Sequence, residues 1–325
     1  MKELWLKQLS NNINNNIDLM KITKIKKTDS NQFLYKKNNI PFNVKIPLTF
    51  IKKIKKKNSK DPILLQFIFN KKELVKCKKY NSNPLNEKFI IPGMIHKYKN
   101  RVLILLTGIC AVHCRYCFRK NTKQINSIKI RDWHKIINYI KKKLEINEII
   151  FSGGDPLVLN DHKINTFIND IKKISHIKIL RIHTRIISII PQRISINLLK
   201  IFSKCKFNIV IVTHINHPNE ISNTLYEKIN SLKELGITIL NQSVLLKDIN
   251  DHHEILIKLS NNLFNIGIIP YYLHLLDKIE GSKHFNVSVN KAKKIMKKIS
   301  SSLSGFLVPR LTKESYGGKN KKFIF

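Results

Sequence analysis

Three of the five cysteines in this chain lie within eight residues, at Cys110, Cys114 and Cys117, directly after a short apolar run. No fourth cysteine stands nearby, whereas structural zinc usually takes four ligands in two separated pairs. Three cysteines alone are also an unusual set for catalytic zinc. A cubane iron–sulfur cluster is the better fit, because three thiolates bind three irons and leave the fourth open to an exchangeable ligand. Chance clustering of buried cysteines is the remaining alternative.

The cysteines follow the first of six short apolar runs, which alternate with amphipathic stretches at intervals of roughly 30 residues. Such alternation is typical of parallel β/α units. The predicted fold is therefore α/β, a partial (β/α)6-type barrel of parallel strands. The six predicted strands are VLILLT (102–107), EIIFSG (148–153), IKILRIHT (177–184), NIVIVTH (208–214), ITILNQS (237–243) and IIPYYLHL (268–275).

Polar residues follow each of these predicted strands. In β/α barrels the chemistry sits at the carboxyl ends of the strands. Six polar strand ends in a row therefore predict one shared site at one mouth of the barrel. In chain order the segments are GICAVHCRYC, SGGDPL (152–157), HTR (183–185), THINHPNE (213–220), NQS (241–243) and HLLDKIEG (274–281).

Three regions of different composition divide the chain. Residues 1–95 are lysine-rich and polar, with amphipathic stretches such as NSKDPILLQFIFNKKELVK, and we predict a basic, helical N-terminal region there. Residues 96–300 contain the predicted barrel, and residues 301–325 form a C-terminal segment.

The formal net charge of +39 raises the question of nucleic-acid binding. The lysine runs are scattered along the whole chain and do not form one aromatic-interleaved stripe. Solvated charge explains such runs, so we expect no dedicated nucleic-acid binding. No apolar run reaches the length of a membrane span, and the N-terminus lacks the apolar core of a signal peptide. We expect a cytoplasmic protein without a membrane partner, whose thiols stay reduced.

Four segments together resemble the lysine 2,3-aminomutase family of the radical S-adenosylmethionine (SAM) superfamily. They are HKYKNRVLILLTGICAVHCRYCFRK, FSGGDPL, THINHPNE and PYYLHLLDKIEGSKHF. They are most similar to its short bacterial branch, which makes β-lysine for the modification of elongation factor P. The resemblance covers about residues 90 to 325, with a weaker match before them. It implies an isomerase that converts L-α-lysine to β-lysine by pyridoxal phosphate (PLP)-assisted radical amino migration, initiated by a 5′-deoxyadenosyl radical.

The same resemblance implies three cofactors and an electron donor. Cys110, Cys114 and Cys117 would hold a [4Fe-4S] cluster, and SAM would bind its open iron. The third cofactor is PLP, and a reduced flavodoxin or ferredoxin-like protein would supply the electron.

Residues for SAM follow from the resemblance at two places. The loop SGGDPL corresponds to the one that binds the methionyl amino group, so Gly153, Gly154 and Asp155 inherit that role. Taken alone, this loop would be an ordinary strand-to-helix turn with Asp155 as its N-cap. Gln242 and His217 lie where the family contacts the same cofactor, although a loop histidine is often merely structural.

Residues for PLP lie near both ends of the resembling region. A Gly-Gly-x-x-x-Lys spacing in the short branch selects Lys322 as the lysine that forms the Schiff base, with Lys319 as its main rival. Without the resemblance, these lysines would be a frayed basic tail. The phosphate clamp corresponds to Lys97 and Arg101, and lysine at the first position keeps the charge but loses bidentate binding.

The substrate contacts follow from charge complementarity. Arg119 corresponds to the arginine that binds the substrate carboxylate, a fork-to-carboxylate pairing. Asp277 corresponds to an aspartate that binds the ε-ammonium group, and its alternative is a surface loop carboxylate. The clostridial-type enzymes have a second carboxylate seven residues before the Schiff-base lysine. Counted from Lys322, that position holds Ser315, with Glu314 beside it.

Two other functions remain open from the sequence. One is a different radical SAM enzyme, acting on another amino acid or on RNA. The other is a degenerate binding protein without catalysis, since compositional drift often accompanies decay.

Overall fold

The computed structural model describes residues 3–26, 31–33, 42–121, 127–318 and 320–325. Its N-terminal region contains short elements, whose buried apolar side chains belong to the main hydrophobic core. The α-helices there are α1 (Leu4–Ser10), α2 (Asn16–Thr23) and α3 (Leu48–Ile51), and the strands β1 (Asn12–Ile13) and β2 (Ile46–Pro47) pair antiparallel.

The amphipathic stretch 58–76, which the sequence predicts to be helical, forms no α-helix. It contains only the 3-10 helices Leu64–Gln66 and Lys71–Leu74. Nearly every apolar side chain from Ile63 to Phe69 is buried, so the segment is wrapped by the fold and does not present one helical stripe. The Asp61 carboxylate, which accepts from the amides of Ile63 and Leu64, supports this compact turn.

Nine strands form one sheet in the described residues, in the order β11-β10-β9-β8-β7-β6-β5-β4-β3. From β4 to β9 every neighbouring pair is parallel, which confirms the predicted barrel architecture. β3 and β11 are antiparallel to their neighbours, whereas β10 is parallel to β9. The strands are β3 (Met94–Tyr98), β4 (Arg101–Thr107), β5 (Glu148–Gly153), β6 (Ile179–His183), β7 (Asn208–Thr213), β8 (Thr238–Leu245), β9 (Ile269–Leu275), β10 (Arg310–Lys313) and β11 (Lys322–Phe323).

Amphipathic helices cover the outer face of this sheet. In the first of them, the buried residues Trp133, Ile136, Ile137 and Ile140 recur at helical spacing and form one apolar stripe. Trp133 packs against Phe151 of β5. The helices after β4 are α4 (Ile130–Lys141), α5 (Asp161–Lys172), α6 (Ile186–Ile189), α7 (Ile196–Ser203), α8 (Asn223–Lys233), α9 (His253–Asn265) and α10 (Val289–Ser300).

The hydrophobic core lies between the helices and the sheet and continues into the N-terminal region. Trp5 of α1 is buried there, and the Arg193 guanidinium lies 4.3 Å from the centre of its ring. Among the described residues no helix has the length and apolarity that a membrane crossing needs.

Candidate active site

A cavity of about 1230 Å³ runs through the interior of the barrel. Of the thirteen site residues predicted from the sequence, only His217 and Lys322 do not line it. The fold therefore gathers residues from distant parts of the chain around one space. The predicted residues in its wall are Lys97, Arg101, Cys110, Cys114, Cys117, Arg119, Gly153, Gly154, Asp155, Gln242 and Asp277.

The cysteine loop leaves the end of β4 and is held against the N-terminal region through its backbone. The amide of His113 donates to the Lys45 carbonyl, and the amide of Arg115 donates to the Gln66 carbonyl, each at 2.9 Å. These bonds fix the loop between its three cysteines, so the N-terminal region supports the site directly.

The three thiols of this loop are free of disulfides and face the cavity. Burial, followed by the neighbouring cysteines, raises the pKa of Cys110 well above the ordinary thiol value and that of Cys117 to about 11. The sulfurs are thus close enough that a negative charge on one disfavours ionisation of the next. Such thiols stay protonated until a metal replaces the proton.

Gly153 and Gly154 allow the SGGDPL loop to touch the cysteine loop. A Cβ atom added to Gly153, whose φ is +133°, would lie 2.3 Å from the Thr107 carbonyl oxygen. One added to Gly154 would lie 2.3 Å from the Ile109 carbonyl oxygen. The amides of Gly154 and Asp155 donate to these same two carbonyls, at 2.6 and 2.8 Å. Only glycine fits at both positions.

The Asp155 carboxylate, which lines the cavity, already has four intramolecular donors. They are the amides of Leu157, Arg185 and Ile186 and the hydroxyl of Thr184, at 2.7 to 3.0 Å. Burial raises the pKa of Asp155, and these hydrogen bonds oppose the rise. Its geometry therefore joins the loop after β5 to the loop after β6.

His217 lies outside the cavity because it caps its own turn. Its Nδ1 accepts from the Asn219 amide at 3.2 Å. At the end of β7, His214 lines the cavity instead, with its Nε2 3.0 Å from the Tyr116 hydroxyl. Burial lowers the pKa of His214 well below the ordinary value, so its imidazole is neutral. Gln242 of β8 lines the same cavity.

Arg119 and Asp277 line the cavity together with other charged groups. The Arg119 guanidinium forms a bidentate pair with Glu87, with Nε–Oε2 at 2.9 Å and Nη2–Oε1 at 2.6 Å. Its Nη1 donates to the Ser152 hydroxyl at 3.3 Å. Burial, followed by the nearby Glu314 carboxylate, raises the pKa of Asp277 to about 7.

A lysine and a carboxylate from the C-terminal segment meet in the cavity wall. Glu314 accepts from Lys97 Nζ at 3.0 Å, and Lys321 Nζ lies 3.6 Å from its other oxygen. The Lys321 ammonium also lies 5.0 Å from the centre of the Tyr272 ring. Burial lowers the pKa of Lys321, so a larger fraction of its amine is neutral and nucleophilic at physiological pH.

The predicted Lys322 is exposed and faces away from the cavity. Lys321 directly precedes β11, which begins at Lys322, and consecutive side chains of an extended chain point to opposite faces. Lys319 lies outside the described residues. Ser315 does not line the cavity, whereas its neighbour Glu314 does. Arg101 stacks on Tyr98, with its guanidinium carbon 3.7 Å from the ring centre.

Comparisons with known proteins agree with this architecture. A model of the Radical SAM superfamily matches residues 104–260. The chain is 45% identical to the L-lysine 2,3-aminomutase of Buchnera aphidicola subsp. Baizongia pistaciae, over 99% of this chain and 96% of that one. It is 40% identical to the L-lysine 2,3-aminomutase of Escherichia coli K12, over 98% and 94% of the two chains. The chain belongs to the L-lysine 2,3-aminomutase family.

A solved structure shares the fold of this family member at lower sequence similarity. It is a radical SAM methyltransferase from Sphaerobacter thermophilus, with a TM-score of 0.50, 12% sequence identity and coverage of 68% of each chain. This likeness shows the fold alone.

Radical SAM family membership implies SAM and a [4Fe-4S] cluster, and the cysteine loop fits that group. Three thiols face one cavity, and a buried arginine, Arg185, donates to the Cys114 sulfur at 2.7 Å. Within the described ranges, no three His, Cys, Asp or Glu side chains converge on a point where a single metal ion could bind. A cubane needs no such convergence, because each thiolate binds a different iron.

Several residues in the wall of this lysine 2,3-aminomutase family site were not predicted from the sequence. Glu87, Arg185 and Lys321 each contact or neighbour a predicted residue, and His214 contacts Tyr116 of the cysteine loop. Arg185 and His214 stand in the polar strand ends HTR and THINHPNE, which could have indicated them. Glu87 lies in a polar loop without a distinguishing pattern.

Proposed function

We propose that the protein converts L-lysine to β-lysine by radical migration of the amino group from carbon 2 to carbon 3. One observation carries this proposal: a single cavity contains three thiols, a cationic fork and a pair of carboxylates that could hold the two charged ends of lysine. The 40–45% identity to proteins named L-lysine 2,3-aminomutase supports the same activity.

In this proposal Cys110, Cys114 and Cys117 hold the [4Fe-4S] cluster, and Gly153 at the end of β5 and Gln242 of β8 line the space for SAM. When bound, the cluster and SAM supply a carbon radical that removes a hydrogen atom, and PLP supplies the conjugated ring that stabilises the substrate radical. The protein's own residues position the reactants and exclude water from them.

Arg119 is the proposed partner of the substrate carboxylate. Its guanidinium is anchored by Glu87 through Nε and Nη2 and by Ser152 through Nη1. A carboxylate entering the cavity can pair with this guanidinium, because the planar arginine fork matches the geometry of a carboxylate. Glu87 therefore orients the fork towards the substrate.

Asp277 and Glu314 are the proposed partners of the ε-ammonium group. Their mutual repulsion contributes to the raised pKa of Asp277. A bound ammonium group would relieve that repulsion, so the pair is complementary to a cation. Glu314 therefore takes the role of the second carboxylate, whereas the count from Lys322 leads to the position of Ser315.

Lys321 is the proposed anchor for PLP, in place of Lys322. The family's seven-residue separation between the second carboxylate and the lysine, counted from Glu314, ends on Lys321. Lys321 also faces the cavity, where Tyr272 offers an aromatic surface. Lys97 and Arg101, in the same wall, would hold the phosphate.

Three further roles rest on the similarity to the short bacterial branch alone. The β-lysine would serve the modification of elongation factor P. A reduced flavodoxin or ferredoxin-like protein would deliver the electron. Both partners would be met in the cytoplasm.

The deciding experiment is turnover by reconstituted protein. Protein loaded anaerobically with iron, sulfide and PLP is reduced and incubated with SAM and lysine, glutamate or arginine, and the products are separated by chromatography. Formation of β-lysine from lysine, with no β-amino acid formed from glutamate or arginine, supports the proposal. A full cluster with SAM cleavage but no β-amino acid would contradict it and favour another radical SAM reaction. A full cluster without SAM cleavage would favour a degenerate binding protein.

Variants of the two neighbouring lysines test the PLP anchor. We expect Lys321→Ala to lose the PLP absorbance and the covalent adduct that borohydride reduction leaves on the wild-type protein. Lys322→Ala, one residue away, is the matched control and should keep both. The reverse result would assign PLP to Lys322 through the glycine spacing. Peptide mapping of the reduced wild-type protein checks the assignment independently.

A further inference from the structure

A buried polar group lies directly behind the cysteine loop. Its members come from the loop itself, the N-terminal region and the ends of β6 and β7. They are at most 8% exposed: Gln66, Tyr116, Arg185, Asn216 and Glu220. Burying so many polar groups is costly unless each finds partners, so the arrangement indicates a specific task.

Arg185 is the centre of this group. Its Nη1 donates to Cys114 Sγ at 2.7 Å and to the Tyr116 hydroxyl at 2.5 Å. Its Nη2 donates to Gln66 Oε1 at 2.7 Å and to Glu220 Oε2 at 3.0 Å. One edge of the guanidinium therefore faces the cysteine loop, and the other faces the groups that hold it.

The backbone of Arg185 is fixed as firmly as its side chain. Its amide donates to the Asp155 carboxylate at 2.7 Å. The guanidinium carbon lies 4.8 Å from the centre of the Phe67 ring, which limits its movement on one side. A cation that is held so rigidly beside a sulfur atom acts as a permanent local charge.

Glu220 is the carboxylate paired with this cation, and it is itself fully buried. Its other oxygen accepts from the amides of Asn216 and His217. Glu220 thus holds Arg185 from the side away from the cysteines. The sulfur and the carboxylate therefore receive hydrogen bonds from different nitrogens of one guanidinium.

We propose that Arg185 is a positioning residue for the iron–sulfur cluster, which orients the Cys114 sulfur and raises the cluster's reduction potential. An N–H···S bond and a nearby positive charge stabilise the additional electron of the reduced cluster. Arg185 thereby eases the first electron transfer to the cluster. This inference rests on the cluster part of the proposed function and is independent of lysine and PLP.

The test is the midpoint potential of the cluster, followed by electron paramagnetic resonance during a redox titration. We expect Arg185→Gln to lower the potential by about 59 mV or more, the equivalent of a tenfold change in a one-electron equilibrium. Arg185→Lys keeps the charge and should shift it less. Arg193→Gln is the matched control, because Arg193 is also buried but bonds to backbone carbonyls and Asp161. Its potential should equal that of the wild type.

A change of opposite sign separates tuning from general damage. Glu220→Gln removes the negative charge behind Arg185 and should raise the potential, whereas loss of folding would move all variants alike. An unchanged potential in iron-loaded Arg185→Gln overturns this inference and leaves the cluster assignment intact. If Arg185→Gln fails to retain iron, Glu220→Gln decides, and an unchanged potential there also overturns it. Absence of iron from the reconstituted wild-type protein would overturn the cluster assignment and this inference with it.

Discussion

One residue of the cavity, Asp277, titrates in a pH range in which its effect on substrate binding can be measured. The pKa of Asp277 is about 7, because burial and Glu314 disfavour its charged form. Binding of an ε-ammonium group needs the ionised carboxylate. We therefore expect kcat/KM for lysine to rise as the pH increases through about 7. Asp277→Asn should lose most activity and this pH dependence, which a pH series of initial rates would measure.

The same residue predicts an opposite effect on stability. A carboxyl whose pKa is raised in the folded state binds its proton more tightly there than when unfolded, so its contribution to stability falls as pH rises from about 4 to 7. The loss is roughly 1.4 kcal/mol for each pKa unit. Asp277→Asn should therefore raise the thermal unfolding midpoint at pH 8 and change it little at pH 4. A lower midpoint of Asp277→Asn at pH 8 would contradict the expectation that the ionised Asp277 carboxylate destabilises the folded protein.

Gly154 tests the contact between the two loops. A methyl group at this position would meet the Ile109 carbonyl oxygen at 2.3 Å, so the cysteine loop has to shift. We expect Gly154→Ala to reduce the iron bound per chain and to cost roughly 2 kcal/mol or more of stability. Gly305→Ala is the control, since nothing lies within 4 Å of the added atom. Equal iron content in both variants would contradict the role of this contact.

At the scale of elements, most of the barrel could be predicted from the sequence because buried parallel strands are continuous apolar runs. The run EIIFSG corresponds residue for residue to β5. No such pattern marks β11, a two-residue strand that contains Lys322 and Phe323. The side of the chain that faces the cavity there depends on pairing with β10, and so the sequence alone could not show that Lys321, and not Lys322, lines the cavity.

The same limit explains His217. Its segment THINHPNE was predicted as a polar strand end, and the cavity does receive a histidine from it. That histidine is His214, because Pro218 starts a 3-10 helix and His217 caps it. Which of two histidines turns inward is decided by this local turn, whose geometry the sequence pattern does not specify.

The N-terminal helix α1 gives a prediction at this scale. Trp5 is 1% exposed, stacks with Arg193 and donates from Nε1 to Glu3 at 2.5 Å. Trp5→Ala should cost about 3–5 kcal/mol in the free energy of unfolding, because it leaves a large cavity. Urea denaturation measures this loss. Leu4→Ala, on the same helix but 59% exposed, is the control and should change it by only about 0.5 kcal/mol.

For the whole molecule, the question is what a net charge of +39 does. The cavity, with its buried carboxylates and enclosed thiols, is built for a small substrate. We therefore expect the surface charge to attract nucleic acid without sequence preference. Such binding releases counterions and weakens steeply with salt.

Fluorescence anisotropy with two labelled RNAs of unrelated sequence tests this expectation. Their affinities should agree within a few-fold at 50 mM salt and both should fall by roughly tenfold or more at 200 mM. Saturating RNA should leave SAM cleavage with lysine unchanged, because the proposed lysine contacts, Arg119 and Asp277, lie in the cavity wall. Tight binding of one sequence at 200 mM salt, together with RNA-stimulated SAM cleavage, would instead make the charge part of catalysis and contradict the lysine assignment.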